Sequence, residues 1–190
     1  MAPTLSELPE LFYSSETGKP IEHCLVCEKY LLDNEEYIIE KAFTNYPGLN
    51  TRDLVWEFAI CMECMQTQMK EYSEESEQKM MDYFQSNLDF SAHEELKKNQ
   101  EFDVDKWLSR CVIKGTSIEE CAQYQISTQC VGTMMVFDRT PMMISGKAMD
   151  DIIQLMSNET LGFFNDFRDK HFPPPEDLSP LFRDKDFVLI

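Results

Sequence analysis

The sequence predicts an α+β chain built from two tandem ββα units, the first carrying a metal site and the second lacking the ligands for one. Three observations carry that expectation. Two Cys-x-x-Cys pairs, Cys24-Leu25-Val26-Cys27 and Cys61-Met62-Glu63-Cys64, bracket two stretches of strand composition. A helical period begins at the second pair, with Met65, Met69 and Tyr72 on one face. The apolar register of this whole segment then returns downstream, without three of the four cysteines. A chain of 190 residues, 43% hydrophobic and 12% aromatic, is long and apolar enough to bury a core around such units, which excludes a disordered polymer.

The elements of the first unit follow in order. Leu8 to Tyr13 is an apolar segment expected to lie on the domain surface. The first cysteine pair is a turn, because two intervening residues bring both sulfurs to one point about 2.3 Å away, the Zn–S distance. Tyr37-Ile38-Ile39-Glu40-Lys41-Ala42-Phe43 has the β-branched and aromatic content of a strand. A Pro47-Gly48 turn follows, and Leu54 to Ile60 forms a second strand running into Cys61. Helices are expected near 62–72 and 74–87, the second capped by Ser73. Four thiolates make a closed, tetrahedral and structural shell, so the expected cofactor is one Zn²⁺ held by Cys24, Cys27, Cys61 and Cys64. Seven cysteines form an odd set, and Met1 to Glu10 lacks the features of a signal peptide; together these argue against a disulfide framework and for a reduced, cytoplasmic setting.

A cysteine knuckle, a hairpin, and a second cysteine pair opening a helix resemble the treble-clef zinc finger over roughly residues 20 to 72. The resemblance is at the level of a fold group and implies a zinc-stabilised ββα unit without naming an activity.

The second unit aligns Cys111-Val112-Ile113-Lys114 with the first knuckle and Gln123-Tyr124-Gln125-Ile126 with Glu36 to Ile39. After a hairpin shorter by three residues, Ser145 falls on Cys61 and Ala148 on Cys64. Phe163, Phe164 and Phe167 stand where the first unit has Lys79, Met80 and Tyr83, adding apolar area at about 25 cal/mol per Å² buried. Gly132 marks the turn of the second hairpin, Ser157 caps the last helix, and helices are expected near 146–156 and 158–171. Ser91-Ala92-His93-Glu94 has the form of a capping box for a short helix through Lys98. The resulting organisation is an extended segment over 1–20, a zinc unit over 21–90, a helical connector over 91–106, a metal-free repeat over 107–172 and a Pro-rich tail over 173–190. Leu181-Phe182 and Phe187-Val188-Leu189-Ile190 carry too much apolar surface for a solvated tail, and packing back on the body is the expectation. Cys111, Cys121 and Cys130 lack knuckle spacing and are read as buried thiols rather than a second metal site.

For function, a formal charge of -18 repels a phosphate backbone, so no nucleic-acid partner is expected. No apolar run reaches the length of a membrane span. No glycine-rich phosphate loop, nucleophile elbow or HExxH motif occurs, and His23, His93 and His171 sit in separate elements. The expected class is a non-enzymatic, structural-zinc protein that engages a protein partner. A redox-responsive zinc switch is the alternative, and an HNH-like nuclease using His23 and Asn45 ranks behind both. The identity of the partner and the oligomeric state are not encoded in any motif.

Overall fold

The computed structural model describes residues 3–46, 49 and 51–173. The strands β1 (Thr4–Glu7), β2 (Glu36–Tyr46), β3 (Thr51–Cys61), β4 (Gln123–Val131), β5 (Met134–Phe137) and β6 (Met142–Ser145) form one antiparallel sheet in the order β1-β5-β4-β2-β3, with β6 also paired to β4. Six α-helices accompany it among the described residues: α1 (Met62–Met69), α2 (Glu74–Asn87), α3 (Ser91–Lys98), α4 (Val104–Trp107), α5 (Gly146–Leu155) and α6 (Asn158–His171). The chain is therefore α+β. None of the described helices is long and apolar enough to cross a membrane. The C-terminal apolar residues Leu181, Phe182 and Phe187 to Ile190 lie outside the described residues, as does the Pro47-Gly48 turn.

The strand register repeats between the halves. In the first, Tyr37 pairs with Cys61 and Ile39 with Ala59; in the second, Tyr124 pairs with Ser145 and Ile126 with Met143. Tyr37, Ile39, Tyr124 and Ile126 are all buried, as one inward face of a period-two strand requires. The central ladder joins the two halves, with Glu40 opposite Ser127, Ile39 opposite Thr128 and Lys41 opposite Ile126. The hairpin is not simply three residues shorter. Its turn is cut to Gly132-Thr133 between the paired Val131 and Met134, while its second strand is split into β5 and β6. Gly132 sits at φ 56°, and a Cβ there would meet the Asn34 amide nitrogen and the Leu32 carbonyl at 3.2 Å, so a side chain would bring both backbone strain and a tight contact.

Two expectations are corrected. The N-terminal segment is not laid on the surface: Thr4–Glu7 pairs with β5, and Leu8 and Phe12 are buried in the core. A strand alternating in exposure covers the outer edge of β5, and the apolar residues after it enter the space beneath. Ser91 is not a cap. It is the first residue of α3: the Asp89 carboxylate accepts its amide at 2.9 Å, and the Glu94 amide that its hydroxyl would have capped donates to the Phe90 carbonyl at 2.9 Å.

The caps Ser73 and Ser157 do form, and they meet. Each hydroxyl accepts an amide of its own helix, from Ser76 and Thr160, and the two hydroxyls lie 2.8 Å apart. The contact is reciprocal. The Ser73 amide donates to Thr160 Oγ1 at 3.0 Å, and the Ser157 amide donates to Ser76 Oγ at 2.8 Å. Ser76 and Thr160 are fully buried, so each closes a hydrogen bond that water cannot replace. Ser76→Ala and Thr160→Val are each expected to cost about 1–3 kcal/mol, read from the urea midpoint, because each strands an amide of the opposite helix.

A second buried contact ties the N-terminal segment to the sheet. The Lys41 ammonium lies 2.7 Å from the Glu57 carboxylate and donates to the Tyr13 carbonyl, while the Ser15 amide and hydroxyl donate to Glu57 at 2.7 and 2.8 Å. Burial works to raise the Glu57 carboxyl, but Lys41 and Ser15 outweigh it and hold the group below the usual carboxylate range. A carboxyl depressed in the folded state stabilises above its unfolded pKa, near 4.3, and that contribution is lost as pH falls through the lower folded value. Glu57→Gln is expected to cost about 3 kcal/mol at pH 7, because it leaves Lys41 buried without its counter-charge. The gap between variant and parent narrows below about pH 4, where the parent loses the same interaction; denaturation midpoints at the two pH values check it.

Candidate metal centre

The first knuckle is shaped by backbone hydrogen bonds before any ligand is considered. The Cys24 amide donates to the Lys29 carbonyl and the Glu28 amide to the Cys24 carbonyl, both at 2.9 Å, with Glu28 in the left-handed region at φ 59°. The Leu25 amide donates to Ala59 on β3, which hangs the knuckle on the sheet edge directly before Cys61. Cys61 ends β3 and stands at the N-cap of α1, so Cys64 falls in the first helical turn. Unpaired amides and the helix dipole favour negative charge there.

These elements bring all four predicted ligands together. The Sγ atoms of Cys24, Cys27, Cys61 and Cys64 lie within 4.8 Å of one another, the one such group of metal-ligand side chains among the described residues. Cys27 Sγ and Cys61 Sγ are 3.8 Å apart, the edge expected of a tetrahedron with Zn–S bonds of about 2.3 Å. None of the four is in a disulfide. Burial opposes charge on Cys24, but the amides of Cys61, Cys27 and Val26 outweigh it and draw the thiol below its ordinary value. The Cys61 amide is 3.4 Å from Cys24 Sγ. Cys61 and Cys64 are pushed up, by burial first and also by the Cys24 charge beside them. A cluster of this kind needs a cation to carry four thiolates. Cys24 and Cys61 are buried and Cys27 is exposed, so the sulfurs sit at the protein boundary.

The donor set fits zinc: four soft sulfurs, tetrahedral spacing and amide donors in the outer shell. What the geometry shows directly is a four-cysteine group able to hold a metal ion. Sequence reasoning missed Lys29, whose ammonium lies 3.4 Å from Glu63 and 3.6 Å from Glu35 at the rim of the cluster. A cation two residues beyond Cys27 is the signal that marks it.

The second half repeats the knuckle's bonds. The Cys111 amide donates to Thr116, the Gly115 amide to Cys111 and the Val112 amide to Met143, matching the bonds of Cys24, Glu28 and Leu25. The Ser145 amide is 3.3 Å from Cys111 Sγ, as the Cys61 amide is from Cys24 Sγ at 3.4 Å. Cys121 donates to the Ser117 carbonyl, while burial pushes the Cys130 thiol up to about 12. Among the described residues, neither belongs to a metal-ligating group. His23 packs edge-on against Tyr30, and Asn45 donates to the Ile118 carbonyl in the other half, so the two do not share a site.

Comparison with family models, with curated proteins and with solved structures gives no match.

Proposed function

We propose that the chain is a non-enzymatic protein organised by one structural Zn²⁺, made of two treble-clef-like units of which the second has lost its metal, and that it serves as a protein–protein interaction module. The observation that carries the metal assignment is the convergence of four sulfurs at tetrahedral spacing. All four positions of the tetrahedron come from protein, which leaves no ligand position for substrate or water and favours a structural over a catalytic role. The order of knuckle, hairpin and helix supports the treble-clef reading, and the recurrence of the knuckle's hydrogen bonds around Cys111 supports a second copy. The interaction role rests on the acidic surface, with 35 acidic against 17 basic residues, and on exposed apolar side chains such as Met69 and Met81. The expected partner is a protein with a basic surface.

Elemental analysis of the full chain purified without added zinc tests the metal. About one zinc per chain is expected; a metal-free, fully folded chain would overturn the reading. A redox-responsive switch is the second reading, favoured by the exposure of Cys27. Mild peroxide separates the two: a structural centre keeps its metal, whereas a switch releases it and exposes apolar surface to a dye.

A further inference from the structure

The two halves finish the outer edges of their hairpins differently. In the second, β4 pairs Cys130 with Met135 and Val131 with Met134, and β1 lies along the far side of β5 with Glu7 opposite Met134 and Leu5 opposite Val136. In the first, β2 pairs Phe43 with Leu54 and Thr44 with Asp53. Phe43 and Cys130 each stand six residues past the matched tyrosines Tyr37 and Tyr124, so Asp53 takes the place of Met134 and Leu54 that of Met135. Yet β3 is the last strand of the sheet, and among the described residues no strand lies beyond it. The knuckle covers only its end, through the Leu25 amide on the Ala59 carbonyl, as Val112 does on Met143. Val136 is 5% exposed beside β1, whereas Val55, which the β2–β3 register skips, is 59% exposed. Tyr46 and Leu49 are exposed at the same end of the hairpin.

An edge of this kind offers backbone N–H and C=O groups to an extended chain. What β1 does for β5 gives the form of the guest, a short antiparallel strand. Charge gives its chemistry. The chain's own β1, supplied by a second copy, would set Glu7 against Asp53, two carboxylates face to face, and is the wrong strand. Arg52 is held on the sheet instead, donating to the Tyr124 hydroxyl at 3.1 Å and lying over the Phe43 ring. A Lys or Arg in the place of Glu7 would meet an opposite charge, and a chain of formal charge -18 draws a basic peptide while it repels its own copy.

We propose that residues 53–56 of β3 form a strand-addition site for an extended basic peptide, bound antiparallel with a Lys or Arg opposite Asp53 and an apolar side chain over Val55. The inference rests on the reading of the chain as a module for a basic partner, and it says how that partner is held. The guest completes in the first half the edge that β1 completes in the second.

The test uses the full chain and a seven-residue peptide of alternating valine and threonine with lysine at its centre. At saturation, hydrogen exchange at the outer-edge amides of residues 53–57 is expected to slow about tenfold. The same peptide with a central glutamate is expected to bind about fivefold more weakly, and Asp53→Lys to reverse the order of the two peptides. Asp53 is exposed, and far-UV circular dichroism shows whether that variant is folded. A peptide N-methylated along its backbone keeps the side chains, loses the ladder and is expected not to bind. Binding of the lysine peptide without slowed exchange at these amides would overturn the strand site and leave the basic-partner reading standing. Binding of neither peptide, equal binding of the N-methylated peptide, or an unreversed order in folded Asp53→Lys would also overturn it. So would slowed exchange in the free chain that follows protein concentration, by giving the edge to a second copy.

Discussion

Cys61→Ser is expected to lower stability by more than about 4 kcal/mol and to abolish stoichiometric zinc binding, whereas Cys121→Ser costs about 1 kcal/mol and leaves the metal in place. The contrast follows from what each sulfur touches. Cys61 closes the sulfur cluster from the junction of β3 and α1, where its backbone stands opposite Tyr37 and at the N-cap position, so losing its sulfur uncouples the knuckle from that junction. Metal binding and folding are one process in such a centre, since the unfolded chain holds no preformed site. Cys121 is a buried thiol donating to the Ser117 carbonyl, and serine preserves that bond at the cost of some buried apolar area. Guanidinium midpoints and metal content of the two variants check this. Equal losses would mean that the sulfur cluster is not what holds the first half together.

Most of the secondary structure was legible because each element announces itself locally. Period-two runs ended in cysteine pairs or glycine turns, and Ser73 and Ser157 interrupted the helical patterns where the helices do break. The four-cysteine group was legible because a tetrahedral metal site imposes short spacings within each pair. The features that escaped depend on residues far apart in the chain. Thr4–Glu7 is too short to read as a strand until β5 presents an edge to it. The Lys41–Glu57 pair exists only through the β2–β3 register, which a bulge opposite Ala42 and Phe43 shifts. That two helix caps would share hydroxyls across the halves follows from how α2 and α6 pack, although Ser76 and Thr160 in matching positions were a visible hint. At Ser91 the local pattern itself misled: Asp89 accepts the Ser91 amide that Glu94 would have taken in a capping box, and the Phe90 carbonyl accepts the Glu94 amide that the Ser91 hydroxyl would have capped.

If the second half descends from a metal-binding copy, its metal site should be recoverable. The variant Lys114→Cys/Ser145→Cys/Ala148→Cys, made on the existing Cys111, is expected to raise metal content from one to two zinc per chain and to double the thiolate charge-transfer band of the cobalt-substituted protein. The backbone that such a site needs is already in place. The Lys114 and Ser145 amides both lie 3.3 Å from Cys111 Sγ, and Ser145 caps α5 in the position that Cys61 occupies on α1. The costs are modest and identifiable. Lys114 gives up an exposed ion pair with Asp151, worth at most about 1 kcal/mol, and sulfur at the fully buried Ala148 overpacks its surroundings by about 1–3 kcal/mol. Structural zinc bound by four thiolates contributes on the order of 10 kcal/mol, so the metal wins if the four sulfurs converge. A folded variant holding a single zinc would show that the likeness of the two halves stops at the backbone hydrogen bonds. Two zinc ions would show that the second half has the backbone for a metal site and lacks only the cysteines.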